Sequence, residues 1–264
     1  QAYYLKKSNG KNDFTISAFG ILYAFCGFFI AYYWNIMWID AMYLLPLVVL
    51  GIERIINKQN ATFYIVTLAI SFFSNYYMSY MICIFSVLYF LVYFFSNYSI
   101  KEILPTKPIY VDEDGEIYNR KIDNVFYSRF VTSGLLFALG SFVAVGLAAV
   151  ALLPTYYCLK ACSATSGTFP SDYQFYNNIF DFLANHLTSL EPTIRSSGED
   201  VLPNVYCGII TVMLVPLYIF CDKIKARERA AHIILLAVFF LEFNLNYLNY
   251  ICLLYTSPSP RDRQ

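Results

Sequence analysis

Charge is scarce in this chain. Only 14% of its 264 residues are Asp, Glu, Lys or Arg, and 18 basic side chains balance 18 acidic ones. The Lys and Arg residues lie scattered in short loops with no basic cluster beside aromatic rings, which argues against nucleic acid as a partner. Histidine is scarcer still, at two. Gly-rich phosphate loops, Gly-x-Ser-x-Gly elbows and His-Glu-x-x-His metal motifs are all missing, so a cytosolic nucleotide-driven enzyme has little support. No cofactor is evident, and nothing supports a divalent metal. Of the seven cysteines, Cys26, Cys83, Cys207 and Cys221 sit in or beside apolar runs as ordinary small hydrophobes, and Cys158 and Cys162 have no histidines at ligand spacing. A signal peptide is also missing, and Gln1 reads as a cut rather than a beginning.

What the chain has instead is apolar surface. Hydrophobic residues make up 58% of it and aromatic residues 19%, the composition of an integral membrane protein with lipid as its solvent. The apolar block 61–95 would reach roughly 50 Å as one helix, too long for a hydrocarbon core of about 30 Å. Charge placement resolves it. If the block is a hairpin turning near Asn75, Tyr76 and Tyr77, fourteen Lys and Arg side chains between Lys6 and Arg229 share one side, against Lys160 and Arg195 on the other. That is the positive-inside asymmetry, and a single tilted helix destroys it. The expected fold is therefore an all-α polytopic transmembrane helix bundle with seven spans, at 14–34, 38–56, 61–75, 79–96, 130–153, 205–220 and 230–250. Segment 154–203 is then extracellular and the N-terminal end cytoplasmic. The acidic run Asp112–Glu116 in the inner loop reads as a solvated turn.

Polar residues collect toward the outer ends of these spans. Asp40 opens the second span, either as a helix cap or facing a substrate. The turn "SNYYMSY", residues 74–80, places Asn75, Tyr76, Tyr77 and Tyr80 where the chain reverses, as an aromatic belt or as the lining for a sugar or lipid headgroup. Glu242, Asn246 and Asn249 stand at i, i+4 and i+7, which predicts a polar stripe on one helical face turned away from lipid. In the outer segment, residues 177–190 read as an amphipathic interfacial helix, with His186 a surface or packing residue.

Several long strings resemble the YfhO family of bacterial polytopic membrane proteins. Residues 22–55, "LYAFCGFFIAYYWNIMWIDAMYLLPLVVLGIERI", carry its Asn-x-x-Trp-x-Asp at Asn35, Trp38 and Asp40, and its Leu-Pro-Leu-x-x-Leu-Gly-x-Glu from Leu45 to Glu53. Residues 71–90, "SFFSNYYMSYMICIFSVLYF", are similar to it as well, and "AVALLPTY" and "LPNVYCG" look like its junctions around the outer segment. The likeness covers essentially residues 3–250. It implies the membrane domain of a glycosyltransferase that takes a sugar from a polyprenyl phosphate and delivers it, at the outer face of the bacterial cell membrane, to an envelope glycopolymer such as lipoteichoic acid. It also implies that the acidic residue closest to the chemistry belongs to a first outer loop upstream of Gln1, which leaves the catalytic residue of this chain unknown and Asp40 with positioning or architecture. A transporter or flippase of an envelope precursor, and a non-catalytic assembly component, remain the alternatives. Residues 252–264, containing "CLLYTSPSPRD", resemble a translated sequencing-adapter read-through, so the chain is expected to be an internal, inactive piece of a larger enzyme.

Overall fold

The structure is a computed structural model that describes residues 14–26, 29–30, 32–34, 36–57, 59–98, 110–111, 117–118, 125–161, 173, 175, 180, 183 and 209–253. Among these residues the fold is helical: α1 (Phe14–Ala24), α2 (Ile36–Ile56), α3 (Thr62–Ser74), α4 (Tyr76–Asn97), α5 (Val125–Leu147), α6 (Ala149–Ala161), α7 (Ile209–Ile219), α8 (Ala226–Asn244) and α9 (Asn246–Leu253). A minimal antiparallel ladder, β1 (Tyr110–Val111) with β2 (Ile117–Tyr118), is the exception to helix, and the acidic run between its strands lies outside the described residues.

The long apolar block is two helices. Asn75 breaks it with an extended backbone, φ −159° and ψ 109°, and its side-chain oxygen caps α4 by accepting from the N–H groups of Tyr77 and Met78, both at 3.0 Å. An Asn at this position satisfies two of the donors that a helix start leaves unpaired, so the chain reverses without Gly or Pro. Ser71 and Ser79 meet across the reversal at 2.7 Å between hydroxyl oxygens. At the far end, Asn57 after α2 donates to the Tyr93 hydroxyl at 3.2 Å, which confirms that α4 runs back alongside its predecessors.

Helices α2 to α5 form the core, through Val48, Ile52, Tyr64, Leu68, Phe90 and Phe94 among others. Gly51 permits the closest approach: a β-carbon there would stand 2.8 Å from the Tyr64 Cα. On its other side the Tyr64 ring lies against Gly140, and its hydroxyl pairs with the Ser141 hydroxyl at 2.8 Å. Small residues thus let three helices close on one aromatic side chain, the packing device of membrane bundles. Helix α1 is attached differently. Pro46 has no N–H to offer the carbonyl of Met42, and the Tyr23 hydroxyl donates to that carbonyl at 2.9 Å.

Helix α8 lies antiparallel to α4: Arg227 donates to the Ser96 carbonyl at 3.0 Å, Phe239 stacks on Phe85 at 5.8 Å, and the Tyr80 hydroxyl reaches the Ile251 carbonyl of α9 at 3.0 Å. Arg129 on α5 donates to the Tyr98 hydroxyl just past α4, so arginines gather at one end of the bundle. Polarity is inverted relative to a water-soluble protein. Phe142, Val150 and Leu139 point outward, whereas Glu53, Ser71, Ser79, Ser86 and Asn246 are buried. That arrangement suits a hydrocarbon surround, where polar groups must find partners inside.

The seven-span expectation is met only in part. Among the described residues two helices, Tyr76–Asn97 and Arg129–Leu147, are long and apolar enough to cross a membrane. Helix α1 covers only part of 14–34, α3 and α7 have 13 and 11 residues, and α2 carries Asp40, Glu53 and Arg54. The fifth expected span runs past residue 153, breaking at Ala148 and continuing as α6 to Ala161 with Pro154 inside the helix. The amphipathic segment 177–190, with His186, lies almost wholly outside the described residues, and α9 reaches two residues into 252–264.

Candidate functional site

At the end opposite the arginines, the α3–α4 reversal faces the start of α2 and one side of α6. Between them lies a cavity of about 370 Å³ walled by Trp38, Phe72, Ser74, Asn75, Tyr76, Tyr77, Leu152 and Thr155 among others. A second cavity, about 270 Å³, shares Phe72, Tyr76, Tyr77, Leu152 and Thr155 and extends to Tyr80, Tyr156 and Leu159. The shared lining makes the two one continuous crevice. Together they reach the size range of small-molecule sites.

The crevice is graded. Near Trp38, Ser74 and Asn75 its wall mixes amide and hydroxyl groups with aromatic faces, whereas past Tyr77 it is nearly all ring and aliphatic carbon. On α6, Leu152, Thr155, Tyr156 and Leu159 stand at i, i+3, i+4 and i+7, so one helical face forms that wall. The Thr155 hydroxyl donates to the Ala151 carbonyl at 2.8 Å, which turns its oxygen lone pairs toward use as an acceptor. This arrangement can hold a polar ring with apolar faces at one end and a hydrocarbon chain at the other. Its described lining holds no carboxylate or other proton-transfer pair.

The structure brings Trp38, Asn75, Tyr76, Tyr77 and Tyr80 together around this crevice. Asn75 holds a structural post there, since both backbone donors converge on its carbonyl oxygen. Asp40 is exposed and lines neither cavity. It is not the helix cap either, because α2 begins at Ile36 and Asp40 lies a full turn inside. Asn35 lies outside the described residues.

The stripe of Glu242, Asn246 and Asn249 does not form a single helical face. The helix ends at Asn244, Leu245 is extended with φ −95° and ψ 118°, and α9 starts at Asn246. Glu242 is half-buried on α8, Asn246 is buried and accepts from the Tyr247 N–H at 2.9 Å, and the Asn249 side chain lies outside the described residues. At the break, Leu245 forms an isolated antiparallel bridge with Phe175, 70 positions away in sequence.

Sequence reasoning missed the α6 wall. Its only local signal is the spacing from Leu152 to Leu159, interrupted to the eye by Pro154. Glu53, marked in the sequence only as the end of the Leu45–Glu53 string, is a buried carboxylate whose Oε1 accepts from the Tyr89 hydroxyl at 2.8 Å near the arginine end, well away from the crevice. Among the described residues no three His, Cys, Asp or Glu side chains come together as metal ligands would.

No curated protein and no solved structure matches this chain. A family model described as bacterial membrane protein YfhO does match it, over residues 1–260. That match takes in the α2 core helix, the Asn75 reversal and the α6 wall within one continuous alignment, and it runs into the tail beyond Tyr250. The chain belongs to the YfhO family of bacterial membrane proteins.

Proposed function

We propose that this protein is a membrane glycosyltransferase that moves a sugar from a polyprenyl phosphate to a hydroxyl of a cell-envelope glycopolymer, such as lipoteichoic acid, at the outer face. The carrying observation is the graded crevice, amide and hydroxyl at the Asn75 end and hydrocarbon at the Leu159 end, which is complementary to a sugar attached to a lipid. Its placement agrees. Arg129 and Arg227 sit at the opposite end, which this reading takes as the cytoplasmic one because basic residues favour that side, with the crevice facing outward. Several of the expected spans are short or charged; in this reading the bundle still traverses the membrane seven times.

In the reaction the acceptor oxygen attacks the anomeric carbon and a new carbon–oxygen bond forms. The bond from that carbon to the phosphate oxygen breaks, and the electron pair leaves on the polyprenyl phosphate. The acceptor proton passes to a carboxylate base, which we assign outside the described crevice lining. The crevice residues orient the sugar and exclude water: Trp38, Tyr76 and Tyr77 offer ring faces, and Thr155 offers an acceptor.

A flippase of the same lipid is the second reading, favoured by the buried polar residues Ser79, Ser86 and Glu53 along the bundle interior. Those groups are engaged, with Ser79 on Ser71, Ser86 on the Ile82 carbonyl and Glu53 on Tyr89, so the transferase reading is preferred. Proteoliposomes containing the full-length protein, radiolabelled undecaprenyl-phosphate sugar and envelope acceptor separate the two. Label appearing in the acceptor supports transfer; label crossing between leaflets without transfer overturns it.

A further inference from the structure

The α6 face that walls the crevice does not stop at Leu159. Counting from Leu152, the next position on the same stripe is i+8, and Lys160 occupies it. Its ammonium nitrogen stands 4.8 Å from the centroid of the Tyr156 ring, and that ring lines the apolar end of the crevice with Tyr80 and Leu159. The cation thus lies over a ring that lines the hydrocarbon-walled cavity, and Lys160 is exposed. Lysine in the last turn of a helix is favoured by the helix dipole, which accounts for its place along α6 but not for its face. Among the described residues every other Lys or Arg lies toward the opposite end of the bundle, so charge bias alone would leave this position neutral.

We propose that Lys160 contacts the phosphate of a prenyl-phosphate lipid whose chain lies along Tyr80, Tyr156 and Leu159. An apolar slot with one cation at its mouth matches an amphiphilic anion. A soluble phosphate would leave the slot empty, and an uncharged prenol would leave the ammonium without a counter-charge. This deepens the transferase reading and rests on it for the consequence that follows. As the sugar departs, the phosphate passes from a singly charged diester to a more highly charged monoester, so an ammonium in contact with it favours the transition state over the ground state. Lys160 then positions and stabilises the leaving group, and takes no proton.

The test uses full-length protein in nanodiscs and measures binding of undecaprenyl phosphate, undecaprenol and inorganic phosphate. For Lys160→Gln, affinity for undecaprenyl phosphate is expected to fall about tenfold, the scale of one charge-assisted contact. Lys160→Arg should stay near the unaltered protein, and undecaprenol should bind all three proteins alike, which also reports that each is folded. Leu159→Trp should weaken both lipids. Unchanged undecaprenyl-phosphate binding in Lys160→Gln overturns the proposal, as does inorganic phosphate displacing the lipid at equal concentration, which would make a soluble phosphate the ligand. If the binding pattern holds but no sugar is transferred in the proteoliposome assay, the transferase reading fails and the lipid-phosphate site stands.

Discussion

A β-carbon on Gly51 would come within 2.8 Å of the Tyr64 Cα and 2.9 Å of its Cβ, so α2 and α3 meet with no side chain between them. Backbone cannot retreat as the end of a flexible side chain can. Gly51→Ala is expected to push the helices apart and cost about 1–3 kcal/mol, the scale of an overpacked core. Gly20, with nothing within 4 Å of its built β-carbon, is the matched control. Thermal unfolding in detergent checks the pair: Gly51→Ala should lower the midpoint and Gly20→Ala should not.

Asn75 tests whether the reversal is held by its cap. Asn75→Ala removes the acceptor shared by the Tyr77 and Met78 N–H groups and should cost about 1 kcal/mol of stability, while Asn75→Ser or Asn75→Asp retains most of it. In the transfer assay the same ranking should appear. If Asn75→Ser abolished transfer with the stability of the unaltered protein, the amide would instead be a substrate contact.

The Glu53–Tyr89 pair lies far from the crevice and its loss should act on stability alone. Tyr89→Phe removes a hydroxyl donor from a buried carboxylate, expected to cost about 1.5–3 kcal/mol, whereas Glu53→Gln keeps an acceptor for that hydroxyl and should cost less. Unfolding midpoints order the two variants, and a larger loss for Glu53→Gln would contradict the assignment.

Thr155 faces both parts of the crevice. Thr155→Trp should fill it and reduce transfer at least about tenfold through weakened donor binding, with an unfolding midpoint within about a degree of the unaltered protein. Thr155→Ser keeps the acceptor oxygen and should retain most activity. A Thr155→Trp protein with normal transfer would place the sugar elsewhere.

The helical class and the reversal at Asn75 were legible because each rests on local chemistry: apolar length, loop charge, and a capping side chain in an apolar run. The gathering of Tyr76, Tyr77 and Tyr80 at that reversal was legible for the same reason. The α6 wall was not, since Pro154 reads as a helix end in a sequence while a helix can carry it by giving up one hydrogen bond. Nor was the break at Leu245, which has no Gly or Pro beside it and pairs instead with the distant Phe175. Asp40 was misplaced at a helix start because the helix begins earlier, at Ile36. Of the three, only the break at Leu245 involves a chain segment outside the window in which periodicity is read.

The two walls of the crevice differ mechanically. One is the α3–α4 reversal, with no loop residue beyond Asn75 and with Ser71 and Ser79 bonded across it. The other is α6, in which no residue is buried, which carries Pro154, and which is separated from α5 by the turn at Ala148. A jaw fixed on one side and lightly seated on the other has its aperture set by the lighter side. The width of the crevice is therefore set by how α6 seats against α3 and α5.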